Sequence, residues 1–132
     1  MKTIIAGSRD ITDYNMLLFA IEQIDWEITT VISGGAAGVD KLGEQWAAEN
    51  LRKDKLKIVP AEWRKYGKQA GYLRNVKMAE KAEALLAIWD GKSKGTGHMI
   101  DIAQEKGLKI YVYNTNSKLE TNRRRRIFDA NC

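Results

Sequence analysis

The chain has 132 residues, of which 44% are hydrophobic and 30% are charged, and its formal net charge is +5. This length and balance suit one globular domain with its own core, and they exclude a disordered chain and a large multidomain protein. Cys132 is the only cysteine, so an internal disulfide and a multi-cysteine metal site are also excluded.

Short apolar runs alternate with amphipathic helical patterns along the chain. The pattern predicts strands at residues 3–6, 30–33, 56–59, 84–89 and 108–113. It predicts helices at about residues 14–24, 39–51, 68–82 and 96–105. This alternation is typical of β-α-β units, in which right-handed crossovers place helices on both faces of a parallel sheet. The sequence therefore predicts an α/β fold, a Rossmann-like three-layer sandwich with a five-stranded, mainly parallel sheet.

The positive charge is concentrated near the C-terminus. Five basic and two acidic residues follow residue 113, which gives that segment a net charge of +3 and leaves +2 for the rest. We therefore divide the chain into a domain at residues 1–113 and a basic tail at residues 114–132. Such a charge run is usually solvated, and the alternative is contact with a polyanion such as nucleic acid.

The N-terminal sequence indicates where in the cell the protein is expected. Its apolar run of four residues is too short for a signal peptide or a membrane span. We therefore expect a cytoplasmic protein with no membrane partner.

The strongest local motif lies between the second predicted strand and the next helix, and it reads Ser33-Gly34-Gly35-Ala36-Ala37-Gly38-Val39-Asp40. Glycine permits positive φ and lets a ligand approach the backbone, and a helix N-terminus attracts phosphate or carboxylate. The Gly-Lys-Ser/Thr ending of a Walker loop is missing. The motif predicts a phosphate-binding loop, and the alternative is a tight turn whose glycines serve packing.

A second loop follows the fourth predicted strand and opens another helix, with the sequence Asp90-Gly91-Lys92-Ser93-Lys94-Gly95-Thr96. Its lysines and hydroxyls supply donors beside a helix N-terminus, and Asp90 supplies an acceptor for a ribose hydroxyl or a base amine. Two such loops indicate a ligand with two polar ends. The alternative is that Lys92 and Lys94 are ordinary surface lysines.

A third motif, Gly7-Ser8-Arg9, directly follows the first predicted strand. Arg9 can make a bidentate contact to phosphate, to which Ser8 also donates. The alternative is a structural ion pair of this arginine with Asp10, Asp13 or Asp40.

The segment at residues 60–75 mixes aromatic and basic side chains. Trp63 and Tyr66 suit stacking on a base, with simple packing as the alternative. Arg74 and Asn75 follow in a predicted helix and are expected to point into the same cleft. His98, the only histidine, has no acidic neighbour at ligand spacing, so we predict no catalytic residue, no metal site and no cofactor.

Together these motifs resemble the SLOG superfamily, in particular its YspA/YpsA-related branch, which is frequent in bacteria and their phages. The likeness covers about residues 2–113 and implies a Rossmann-like fold that senses or processes nucleotides, in a dimer or larger homo-oligomer. Related phosphoribohydrolases carry a loop glutamate that works at the glycosidic bond. Met99 stands at the corresponding position here, which weakens the hydrolase interpretation.

The motifs favour a protein that binds a phosphorylated nucleotide derivative of the ADP-ribose type, as a sensor or as a sequestering protein encoded by a phage. The enzyme alternative is a nucleotide N-glycosidase or phosphoribohydrolase that uses Asp40, Glu44 or Asp90. The third alternative is single-stranded nucleic-acid binding. The predicted ligand contacts are Gly7, Ser8, Arg9, Ser33, Gly34, Gly35, Ala36, Gly38, Val39, Asp40, Trp63, Arg74, Asn75, Asp90, Gly91, Lys92, Ser93, Gly95 and Thr96.

Overall fold

The computed structural model describes residues 1–115. Its strands are β1 (Lys2–Gly7), β2 (Thr30–Ser33), β3 (Leu56–Ile58), β4 (Ala84–Trp89) and β5 (Lys109–Asn114). Its α-helices are α1 (Tyr14–Gln23), α2 (Val39–Asn50), α3 (Trp63–Tyr66), α4 (Ala70–Lys81) and α5 (Lys94–Glu105). Short 3-10 turns at Lys53–Lys55 and Gly67–Gln69 precede β3 and α4. The basic tail that the sequence predicts lies outside the described residues, apart from Asn114 and Thr115.

The five strands form one parallel sheet in the order β3-β2-β1-β4-β5. The predicted α/β, Rossmann-like arrangement is confirmed, and the sheet is parallel throughout rather than mainly parallel. The chain builds outward from β1 to β3 and then returns to add β4 on the other side of β1. This reversal makes the β1/β4 boundary the topological switch point, where open α/β sheets bind ligands outside the strand carboxyl ends.

Each face of the sheet carries its own apolar core. On one face, Ile4 and Leu85 pack with Met78 of α4 and with residues of α5. On the other face, Ile5 and Leu86 pack with residues of α1 and α2. Neighbouring residues of a strand point to opposite faces, so the unbroken apolar runs of β1 and β4 follow from burial on both sides.

The helix boundaries show how the loops are made. Asp13 caps α1 by accepting a hydrogen bond from Asn15 N at 2.9 Å. The helix α5 begins at Lys94, two residues earlier than predicted, because Asp90 Oδ1 accepts hydrogen bonds from Lys92 N and Ser93 N, each at 2.8 Å. These bonds turn the chain before the helix starts.

Between residues 1 and 115, the structure contains no helix with the length and apolarity that a membrane crossing needs.

Candidate ligand-binding cleft

The carboxyl ends of the central strands open into a cleft of about 840 Å³. Its walls come from the loops after β1, β2 and β3, from α4, and from the start of α5. The volume lies in the range of small-molecule sites. Twelve of the predicted ligand contacts line it: Gly7, Arg9, Gly34, Gly35, Ala36, Asp40, Trp63, Arg74, Asn75, Ser93, Gly95 and Thr96.

Seven predicted contacts do not line the cleft: Ser8, Ser33, Gly38, Val39, Asp90, Gly91 and Lys92. The buried Ser8 hydroxyl accepts a hydrogen bond from Asp90 N at 3.0 Å and so ties the end of β1 to the end of β4. The Ser33 hydroxyl donates to Glu44 Oε2 at 2.7 Å and accepts from Gly35 N at 3.1 Å. These two hydroxyls bond to the loops on the side away from the cleft. For Ser8 and Ser33 the structure therefore favours support of the loops over direct contact with a ligand.

The glycines of the first loop differ in what surrounds them. A Cβ on Gly38 would collide with the backbone carbonyl oxygens of Ser8 and Arg9, and its φ of +77° also requires glycine. Gly38 therefore serves packing, which is the alternative that the sequence left open. Gly34 and Gly35 face the cleft, and Gly35 also has a positive φ of 76°.

Arg74 reaches from α4 across the first glycine loop. Its Nη1 donates to Gly34 O at 2.6 Å, and its Nε donates to Asn75 Oδ1 at 3.0 Å. A Cβ on Gly34 would lie 2.5 Å from Arg74 Nη1 and 2.9 Å from Asp40 Oδ2, so the absence of a side chain there is what admits the guanidinium. The loop and the arginine thus form one cationic wall.

Asp40 is the carboxylate of this wall. It is 6% exposed, and its Oδ2 accepts a hydrogen bond from Ala36 N at 3.1 Å. Burial raises the pKa of Asp40 to about 6, although the Ala36 N–H and the Arg74 charge oppose the shift. The Glu44 charge adds to it, while Glu44 itself pairs with Lys41 at 3.4 Å. The buried carboxyl therefore holds its proton at a higher pH than an ordinary aspartate does.

This shift predicts a pH-dependent stability. In the folded protein the pKa of Asp40 is raised from 3.8 to about 6, so its stabilising contribution is complete below about pH 4 and is lost as the pH rises through 6. Asp40→Asn removes the cost of the buried charge and keeps an oxygen acceptor for Ala36 N. We expect this variant to be more stable than the wild type by up to about 3 kcal/mol at pH 8 and to show no such gain at pH 4.

Urea unfolding at the two pH values measures this difference. The exposed Glu22 of α1 provides the matched control, Glu22→Gln, which is expected to change stability equally little at both. Equal stability of wild type and Asp40→Asn at pH 8 would contradict the assignment.

In the second loop, fewer of the predicted ligand contacts line the cleft than the sequence suggests. The two backbone hydrogen bonds that shape this loop, from Ser93 N and Lys92 N, are both accepted by Asp90 Oδ1 and lower the pKa of Asp90. Trp89 Nε1 donates to Ser93 O at 2.9 Å. Lys94 lines the cleft, whereas Lys92 does not. Asp90 therefore supports the loop through Oδ1, and Lys94 is the lysine of this loop that lines the cleft.

Arg9 and an aromatic rim stand at the mouth of the cleft. Arg9 is exposed, and among residues 1–115 it forms none of the ion pairs considered from the sequence. Trp63 is 60% exposed and Tyr72 is 56% exposed, both unusual for large aromatic side chains. Tyr66 does not line the cleft. The rim thus offers exposed aromatic surface, and Arg9 lines the same cleft.

Sequence reasoning missed several lining residues, among them Lys41, Lys68, Tyr72 and His98. Tyr72 precedes Asn75 by three positions in α4, a spacing that places two side chains on one helix face and so could have revealed it. Met99 lines the base of the cleft but is only 1% exposed and belongs to the core. Among residues 1–115, no group of three or more His, Cys, Asp and Glu side chains is arranged to hold a metal ion.

The fold and the cleft define a Rossmann-like protein with an open cleft at the carboxyl edge of its parallel sheet. Residues 1–66, half of the chain, match the YspA, cpYpsA-related SLOG family, and the chain belongs to this family. It is also similar to the Gene 61 protein of Mycobacterium phage D29, with 36% identity over 85 residues, which are 61% of this chain and 67% of the phage protein. No solved structure matches it. Family membership indicates binding or processing of nucleotide-related molecules.

Proposed function

We propose that the protein binds a phosphorylated, nucleotide-derived ligand of the ADP-ribose type in this cleft. The charge of the cleft carries the proposal. Within the described part of the chain, five cationic side chains line it, from Arg9, Lys41, Lys68, Arg74 and Lys94, against the single carboxylate of Asp40. Low-dielectric walls focus such a field, and a polyanion is the ligand that this field attracts.

The two ends of the cleft fit the two ends of such a ligand. Arg74 and the first glycine loop offer a planar donor and open backbone for a phosphate. The N-terminus of α5 also lines the cleft, and the positive end of its helix dipole suits a second anionic group. Trp63 and Tyr72 offer ring faces for a base. This layout favours a molecule with a base and more than one phosphate.

The biological role that we propose is sensing or sequestration of a nucleotide signal. Binding residues abound in the cleft, whereas a pair of groups placed for acid–base catalysis is not apparent among residues 1–115. Similarity to a phage protein makes sequestration by a phage-encoded protein the more specific form of the proposal. We further propose that the protein is cytoplasmic and forms a homo-oligomer. Gel filtration of the purified protein measures the oligomeric state.

Two measurements on the purified protein test the binding proposal. Mass spectrometry of the supernatant after denaturation identifies any nucleotide that copurifies. Calorimetry with AMP, ADP, ADP-ribose and NAD then ranks affinities. We expect an intact nucleotide in the first measurement and tighter binding of the diphosphates than of AMP in the second. If no nucleotide copurifies and none of the four binds, the proposal is wrong.

A second candidate function is hydrolysis of an N-glycosidic bond. The observation in its favour is the pKa of about 6 for Asp40, a value suited to a group that gives and takes a proton near neutral pH. Chromatography of the four nucleotides after incubation with the protein separates the two candidates. We expect no release of free base. Release that is lost in Asp40→Asn would establish the enzyme instead.

A further inference from the structure

A chain of hydrogen bonds joins the two loops through α4. Arg74 donates from Nη1 to Gly34 O in the first loop and from Nε to Asn75 Oδ1. Asn75 is 5% exposed, and its Nδ2 lies 3.3 Å from Gly95 O and 3.1 Å from His98 Nδ1 at the start of α5. The position of His98 is therefore fixed from the phosphate-loop side of the cleft.

The donors and acceptors of this chain determine the tautomer of His98. An arginine only donates, so the Asn75 atom that faces Arg74 is the oxygen. A backbone carbonyl only accepts, so the Asn75 atom that faces Gly95 O is the nitrogen. His98 Nδ1 receives a hydrogen bond from that same nitrogen and must be unprotonated. The neutral imidazole then carries its proton on Nε2.

The charge state of His98 agrees with this assignment. Burial lowers the pKa of His98, while the charges of Asp101 and Glu105 act in the opposite direction. The lowered pKa favours the neutral ring at physiological pH. Asn75 thus holds a neutral imidazole with a single N–H donor.

That donor is the feature that the fold leaves unexplained. His98 Nε2 is buried and, within residues 1–115, is the one buried side-chain nitrogen or oxygen without a hydrogen-bond partner. A buried donor without a partner costs free energy and calls for a reason. The imidazole lines the cleft, and the exposed Tyr72 ring stacks on it with centroids 4.0 Å apart and planes at 31°. Tyr72 is the more exposed partner of this ring contact, with 56% of its surface accessible.

We propose that His98 is a ligand-contacting residue whose Nε2–H donates a hydrogen bond to an oxygen of the bound nucleotide once Tyr72 has moved. The inference rests on the proposed function and extends it by assigning a specific contact. Asn75 and Arg74 act as positioning residues for the donor. Arg74 also contacts the first loop through Gly34 O. An anion that binds Arg74 would therefore bind the same hydrogen-bond chain that orients His98.

The chain has one histidine, so its imidazole gives an unambiguous NMR signal. Two-dimensional ¹H–¹⁵N spectra of protein labelled with ¹⁵N-histidine report the tautomer and the Nε2 proton. The titrant is the member of the AMP, ADP, ADP-ribose and NAD panel that the wild type binds most tightly. We expect the Nε2–H tautomer in the free protein and a downfield shift of that proton on saturation. A doubly protonated ring, an Nδ1–H tautomer or an unchanged Nε2 proton at saturation would overturn the inference.

Two amide substitutions separate ligand contact from structural support. The side-chain nitrogen of glutamine comes close to the position of His Nε2 and donates, whereas the side-chain oxygen of asparagine comes close to the position of Nδ1 and accepts from Asn75. If His98 donates to the nucleotide, His98→Asn weakens binding of the same nucleotide about tenfold and His98→Gln stays within about threefold of the wild type. If His98 only supports Asn75, the order reverses.

The reversed order, or equal affinities, overturns the inference while leaving nucleotide binding intact. Failure of every panel member to bind the wild type overturns the proposed function, and this inference with it. Circular dichroism establishes that each variant is folded, and the wild-type NMR titration decides the question if either is not.

Discussion

Replacing Arg74 with alanine is expected to weaken nucleotide binding about 100-fold. The guanidinium has five N–H groups, of which two are engaged by Gly34 O and Asn75 Oδ1 within the described part of the chain. The other three remain for a phosphate in the cleft. Charge-assisted hydrogen bonds to phosphate contribute about 1.5–3 kcal/mol each, so losing a bidentate contact accounts for a loss of this size.

Calorimetry with the panel nucleotide that the wild type binds most tightly measures this loss. Lys81→Ala is the matched control, because Lys81 is an exposed cation of the same helix outside the cleft. It is expected to leave the affinity within about twofold. Arg74→Lys keeps the charge without the planar fork and is expected to fall between wild type and Arg74→Ala. Equal affinities of Arg74→Ala and Lys81→Ala would show that the phosphate lies elsewhere.

The fold was largely predictable because the apolar pattern reports burial directly. The runs at β1 and β4 are apolar on both faces, as a strand between two helical layers requires. The order of the strands was not predictable, since no local pattern records which strand pairs with which. That order makes the β1/β4 boundary the switch point and places the cleft.

The site was predictable in part. Motifs at strand ends identified Arg9, Gly34 and Trp63 as lining residues, because the carboxyl ends of parallel strands meet at one edge of the sheet. Contacts between distant segments were not predictable. Arg74 bonds to Gly34 across 40 positions of sequence, and Asp90 Oδ1 accepts hydrogen bonds from the backbone of its own loop, a supporting role that the motif did not indicate.

The glycines of the first loop show where a motif stops being informative. Gly34 and Gly38 belong to the same motif, and the sequence assigned both to ligand approach. In the structure, Gly38 is enclosed by the backbone of the loop after β1, whereas Gly34 is enclosed by the ends of the Arg74 and Asp40 side chains. One glycine is thus required for the fold and the other for the cationic wall.

Alanine at each of these two glycines is expected to separate stability from binding. Gly38→Ala places a Cβ against immobile backbone, at a φ of +77° and ψ of −129° that side chains avoid, and is expected to destabilise the fold by about 3 kcal/mol. Gly34→Ala first meets the ends of the Arg74 and Asp40 side chains, which yield more easily than backbone, so its stability is expected to fall by only about 1 kcal/mol. The added methyl group of Gly34→Ala displaces the Arg74 guanidinium, and this displacement is expected to reduce nucleotide affinity at least tenfold.

Urea unfolding and calorimetry at a temperature where both variants are folded measure the two effects independently. We expect Gly38→Ala to bind the nucleotide within about threefold of the wild type, because Gly38 does not line the cleft. A Gly34→Ala protein with wild-type affinity would contradict the assignment of Gly34 to binding. Arg74 would then bind phosphate without its present position over Gly34. A stable Gly38→Ala protein with impaired binding would instead return Gly38 to the ligand site, as the motif first suggested.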